Sequence, residues 1–169
     1  MEDCCKQENS KKGKKYFWIA GAVLLIILSW FFISNNGSNA EALQNFNGEV
    51  TIYKSGSCGC CDVWTSYFKG KSKLDANVID QYDLSPVKTQ LGVPSALESC
   101  HTTKVGNYFV EGHIPAEAIN KLIEEQPDIK GIAMPGMPDG SPGMPGAKTG
   151  DFVIYAVNND GSYEEYMRI

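Results

Sequence analysis

An uncharged run of eighteen residues, YFWIAGAVLLIILSWFFI at 16–33, constrains this chain more than any other stretch of it. As a helix it is about long enough to cross a hydrocarbon core, and longer than the apolar region of an ordinary export signal. It has no polar face, so it reads as one transmembrane helix rather than as a core helix. Tyr16, Phe17 and Trp18 at one end and Trp30, Phe31 and Phe32 at the other suit the two membrane–water interfaces. Five lysines (Lys6, Lys11, Lys12, Lys14 and Lys15) precede the run, which predicts a cytoplasmic N-terminus and export of everything after it. Ser38-Asn39-Ala40 offers the small residues of a signal-peptidase site, so cleavage after Ala40 is the rival to an uncleaved anchor, which the length of the run favours. The chain thus divides into a basic cytoplasmic segment (1–15), the anchor or signal segment (16–33), a linker (34–47) and a domain (48–169).

The exported part is long enough for one domain with a single core. Of the chain's 20 acidic residues three lie before position 16, and of its 15 basic residues five do, which leaves 17 against 10 and a net charge of −7. An acidic surface argues against nucleic acid and anionic lipid as partners and suits a solvated domain that handles cations, although solubility alone would explain it too.

Strand formers between Gly48 and an SGS turn predict a buried strand over 48–55. Val63, Trp64, Tyr67 and Phe68 then recur at helical spacing, which predicts a helix from Cys60 to Lys69. A second strand fits 77–84, and Ser85-Pro86 opens a short helix through Leu91. The stretch 104–112 reads as a tight hairpin, and 113–126 as a helix with Ile119, Leu122 and Ile123 on its inner face. The order is β-α-β-α-β-β-α. Six Gly and four Pro in GIAMPGMPDGSPGMPGAKTG (131–150) exclude a regular element there, and NNDG between DFVIYAV and SYEEYMRI predicts a C-terminal hairpin.

Three of the six cysteines, Cys58, Cys60 and Cys61, fall where the first strand hands over to a helix N-terminus. Backbone N–H groups and the helix dipole there favour thiolate, the form that redox chemistry and metal binding both need. Cys58 and Cys61 have the C-x-x-C spacing of a disulfide, structural or catalytic, but Cys60 between them offers competing pairings. Three clustered thiolates suit a soft cation, and Cu(I) is the softest common one. Cys100 is the remaining exported cysteine, a fourth ligand or a disulfide partner. Beside it His101 is a ligand or a solvated turn residue, and His113 is a ligand or a surface or capping residue at a helix start. Met134, Met137 and Met144 place three thioethers in the Gly/Pro loop, as copper ligands or as apolar loop anchors. Cys4 and Cys5 lie across the expected membrane and take no part.

YKSGSCGCCDVW, LGVPSALESCHT, YFVEGHIPAEAI and AMPGMPDGSPGM together resemble the signature blocks of the CopG-like copper-resistance proteins of the bacterial cell envelope. The resemblance covers roughly 48–169, and its specificity lies in the joint occurrence of the four blocks in order. It implies an α/β, thioredoxin-like mixed sheet flanked by helices, to which the Gly/Pro/Met loop and the C-terminal hairpin are additions. It also implies copper, as Cu(I) and as Cu(II), at one centre or several. The positions it points to are Cys58, Cys60, Cys61, Cys100, His101, His113, Met137 and Met144. Met134 matches no signature position and is left out of the site.

The expected protein is a periplasmic copper-binding domain held at the inner membrane, or free in the periplasm if cleaved. Copper ions are its expected partners, with a copper exporter or other envelope copper proteins. Interconversion of Cu(I) and Cu(II), which would make it a copper oxidoreductase, is the sharpest expectation. The rivals are passive Cu(I) storage or delivery, and thiol–disulfide exchange by Cys58 and Cys61.

Overall fold

A computed structural model describes residues 40–169. The expected membrane segment at 16–33 lies outside the described residues; among those described, no helix is long and apolar enough to cross a membrane.

Seven strands form one mixed sheet in the order β2-β1-β3-β4-β5-β6-β7. Strand β1 is Val50–Lys54, β2 Asn77–Asp80, β3 His101–Val105, β4 Tyr108–Glu111, β5 Ile129–Ala133, β6 Val153–Asn158 and β7 Tyr163–Arg168. The helices are α1 (Glu41–Gln44), α2 (Gly59–Ser72), α3 (Ser85–Leu91) and α4 (Ala116–Glu125), with a 3-10 turn at Ser95–Leu97. From β1 to α4 this is the β-α-β-α-β-β-α order expected. Strand β1 runs parallel to β2 and antiparallel to β3; β3 is antiparallel to β4, and β4 parallel to β5. The C-terminal hairpin adds β6 and β7, both antiparallel to their neighbours.

Alternation along the strands gives the sheet two buried faces. On one, Val50, Ile52, Val105, Val110, Ile132 and Ile154 pack with Trp64 and Phe68 of α2 and Ile119 and Leu122 of α4. Burying side chains of this size contributes roughly 1.5–3 kcal/mol each. On the other, Phe109, Ala133 and Val157 meet Leu91, Val93 and Leu97 from α3 and the turn after it. Helix α3 starts with proline in its first turn and ends at Gly92, whose φ of 75° is the left-handed cap that glycine adopts without strain.

Three expectations are corrected. Residues 41–44, expected within a linker, form α1, and its Leu43 is wholly buried, with its N–H donating to Asn120 Oδ1 at 3.0 Å. The compact domain therefore begins no later than Ala40. Val63, expected at helical spacing with Trp64, Tyr67 and Phe68, is 56% exposed, because Cys61, Trp64, Thr65, Phe68 and Ser72 make up the buried stripe. Strand β5 runs into the Gly/Pro-rich stretch expected to be irregular. Gly131 pairs with Phe109 there, and a Cβ at residue 131 would collide with the Phe109 carbonyl oxygen, so glycine belongs to this strand by close approach rather than breaking it.

Candidate metal centre

The register brings one end of each of four strands together. Lys54 at the end of β1 lies opposite His101 at the start of β3, Thr102 opposite Glu111, and Glu111 opposite Ala133. Every one of the cysteines and histidines expected at the site lies at this end of the sheet.

Cys58 is the N-cap of α2, and its carbonyl accepts the Asp62 N–H at 3.2 Å. The loop before it is held by Lys54, whose buried ammonium sits 2.8 Å from both Asp62 of α2 and Asp80 of β2. The hydrogen bonds that Lys54 donates to Asp62 and then to Asp80 raise its pKa, so the lysine stays charged. Cys58 and Cys61 form a disulfide, with Cα atoms 5.3 Å apart. Cys60 Sγ lies 3.5 Å from Cys58 Sγ. Cys60 and Cys100 are the free thiols among the described residues, both partly exposed, whereas Cys61 is wholly buried.

Cys100 connects the cysteines to the histidines. Its Sγ lies 3.3 Å from His101 Nδ1 and 2.9 Å from His113 Nε2. His113 Nδ1 is 2.7 Å from the Pro142 carbonyl oxygen, which can only accept, so the proton is on Nδ1 and Nε2 turns a lone pair to the sulfur. A histidine fixed through one nitrogen and free at the other is the usual arrangement of an imidazole metal ligand. Both histidines are fully buried, so neither is the surface residue that one reading of the sequence allowed. The His101 ring lies 4.4 Å from Trp64 and 5.0 Å from His113, centroid to centroid. Its Nε2 is buried without a hydrogen-bond partner.

These surroundings disfavour charge unless a cation is present. Burial, then the neighbouring His113 and Lys88, lower the His101 pKa to about 3, and burial lowers that of His113. Burial, followed by the negative charge Cys60 would carry, pushes the Cys100 thiol up to about 12. A bound soft cation reverses the balance at a thiol, because it stabilises the thiolate directly.

Two donor groups could hold a metal ion. One is Cys58, Cys60, Cys61 and Cys100; the other is Cys61, Cys100, His101 and His113; within each group the donor atoms lie within 4.8 Å of one another. Sulfur and imidazole nitrogen together fit copper, and the unpartnered His101 nitrogen is an available donor. The loop methionines differ in their surroundings. Met137 is 51% exposed. Met144 is half-buried and follows Gly143, whose backbone presses on the first turn of α2: a Cβ on Gly143 would lie 2.7 Å from Cys60 O and 2.8 Å from Trp64 N. Met134 is 1% exposed, in the main core.

Three residues that support the site were not assigned to it from the sequence. Trp64 Nε1–H donates to Ile114 O at 3.0 Å, tying α2 to the segment after His113. Lys88 and Glu111 form a buried ion pair on the opposite face of the sheet. Glu111 had a visible signal, a lone carboxylate in the apolar strand YFVEG; Lys88, in SPVKTQL, had none.

Residues 97–144 match a family model described as "Protein of unknown function, DUF411". No curated protein matches the chain at a significant level. The solved structure of "Copper resistance protein copG- Form 1" is 34% identical, with a TM-score of 0.66, over 72% of this chain and 97% of that one. "Copper resistance protein copG- Form 2" is 35% identical, with a TM-score of 0.63, over the same shares. At this identity, across nearly the whole of those chains and with the cysteine–histidine cluster in place, the chain belongs to the CopG copper-resistance protein family.

Proposed function

We propose that this protein binds copper in the bacterial cell envelope and carries it between Cu(I) and Cu(II) without releasing it, using Cys58, Cys60, Cys61, Cys100, His101 and His113 as ligands, with Met137 and Met144 as further thioether donors. The observation that supports this best is that an all-sulfur donor group and a mixed sulfur–nitrogen group share Cys61 and Cys100. Thiolates suit Cu(I), and imidazole suits the harder Cu(II). Copper is the substrate here: Cu(I) passes one electron to an external one-electron acceptor and becomes Cu(II), and the two histidines supply ligation for the product. The β2-β1-β3-β4 core, with β3 antiparallel to its neighbours, agrees with a thioredoxin-like arrangement. The run at 16–33 is proposed as a membrane tether that leaves the domain in the periplasm; carbonate-washed membranes should retain full-length chain, and a soluble product starting at Glu41 would show cleavage instead.

The redox reading is tested on Cu(I)-loaded protein treated with ferricyanide, a one-electron oxidant. A bound Cu(II) paramagnetic signal should form and vanish on adding ascorbate, with copper content constant. Ejection of copper with formation of disulfides would make the protein a Cu(I) store or courier.

The Cys58–Cys61 disulfide supports a second reading, thiol–disulfide exchange. Sustained insulin reduction by the copper-free protein, retained in Cys60→Ser, would favour it. Cys60, 3.5 Å from Cys58, argues against a clean dithiol catalyst.

A further inference from the structure

On the face of the sheet away from α2, Lys88 of α3 and Glu111 of β4 form an ion pair whose side chains are 6% and 0% exposed. A buried pair is costly unless its donors and acceptors are all met, and here they are. Lys88 Nζ donates to Glu111 Oε1, to the Ser99 carbonyl at 3.1 Å and to the Thr102 hydroxyl at 3.0 Å. Glu111 Oε1 also accepts the Ser99 N–H at 2.6 Å, and Oε2 accepts the Thr102 hydroxyl proton at 2.6 Å. The ammonium's three protons have three partners, and both carboxylate oxygens are engaged.

The destinations of these bonds matter more than their number. They end on Ser99 and Thr102, which bracket Cys100 and His101, and Ser99 is gripped by both its N–H and its carbonyl. Because side chains alternate along β3, Thr102 reaches the ion pair while His101 faces Trp64 on the other side. Beyond Glu111 the chain passes through Gly112 into His113. Gly112 has φ of 83°, a Cβ there would lie 2.6 Å from the Met134 carbonyl oxygen, and its N–H donates to His101 O at 3.0 Å. The pair thus anchors both chain segments that deliver Cys100, His101 and His113.

We propose that Lys88 and Glu111 are positioning residues for the metal centre: by clamping Ser99 and Thr102 they fix the direction in which Cys100 and His101 face Cys61 and His113. The inference rests on reading that cluster as a copper site. The mixed sulfur–nitrogen group depends on the clamp, whereas Cys60, carried by α2, does not.

The test uses the full chain as wild type, as Lys88→Met/Glu111→Leu and as Thr102→Val. Replacing both members of a buried pair by apolar residues of similar volume is often near neutral for stability, and Thr102→Val leaves the ion pair in place while removing its bridge. In copper-free protein with the Cys58–Cys61 disulfide intact, the alkylation rates of Cys60 and Cys100 are read peptide by peptide by mass spectrometry. In each variant Cys100 should react about tenfold faster, with the Cys60 rate unchanged; after reduction and Cu(I) loading, a chromophoric chelator should remove copper at about tenfold lower concentration. Unfolding midpoints recorded in parallel identify the variants that remain folded. A wild-type Cys100 rate in either folded variant overturns the proposal, as does equal acceleration at both cysteines, which would mean general loosening. Failure of the wild type to take up copper would sink the proposed function instead, and the metal-free alkylation comparison would still decide the positioning role.

Discussion

His113 Nδ1 lies 2.7 Å from the Pro142 carbonyl oxygen, so the Gly/Pro/Met loop supplies the acceptor that holds His113 Nε2 toward Cys100. The loop is therefore part of the site even before its methionines are considered. Its fit on α2 depends on Gly143, whose φ is 87° and whose missing Cβ leaves room for Cys60 O and Trp64 N.

Gly143→Ala should lift the loop from α2. The strained φ alone costs about 1–3 kcal/mol, and loss of the Pro142 acceptor should weaken Cu(I) binding about tenfold. Thermal unfolding and chelator competition measure the two effects, and unchanged copper affinity would separate the loop from the site.

Trp64→Phe should destabilise the fold by about 1–3 kcal/mol, because the buried Ile114 carbonyl loses the indole N–H 3.0 Å away. Denaturant midpoints with an unchanged slope would confirm it. Trp64 also packs on His101, so the variant should weaken the Cu(II) signal more than Cu(I) loading.

Cu(I) loading should require reduction of the Cys58–Cys61 disulfide, since the bond removes two of the four thiolates of the all-sulfur group. Anaerobic titration with and without prior reduction checks this. The reduced protein should bind more than one copper per chain, and Cys60→Ser should bind less. Equal loading of oxidised and reduced protein would exclude Cys58 and Cys61 as ligands.

Acid should destabilise the metal-free protein through His101. Its pKa is lowered from 6.5 to about 3 by burial, so between those values the unfolded chain binds the proton and the folded one does not. The contribution is fully present above pH 6.5 and is lost as pH falls toward 3, by about 1.4 kcal/mol per pH unit. His113, shifted in the same direction, adds to the loss. Denaturant unfolding at a series of pH values should show this slope, and His101→Gln should flatten it.

The local patterns of the chain determined much by themselves. The strand at Val50–Lys54, the helix opened by Ser85-Pro86, the hairpin about Gly106 and the C-terminal hairpin about NNDG are short-range signals, set by turn chemistry and periodicity, and each formed as expected. The grouping of three cysteines at a helix start was equally local. Tertiary structure decided what depends on distant chain segments meeting. Leu43 is buried only because α4 offers it a face and Asn120 a partner. Gly131 is a strand residue only because the Phe109 backbone lies against it. His101 and His113 each left a surface reading open beside the ligand one, since nothing adjacent in sequence buries them; antiparallel pairing of β3 and β4, the Trp64 ring and the Pro142 carbonyl do so together. Lys88 and Glu111 are 23 residues apart and belong to different periodic patterns, so their pairing had no local signature. Burial of a charge is legible only once its partner is in place, and that partner comes from the fold.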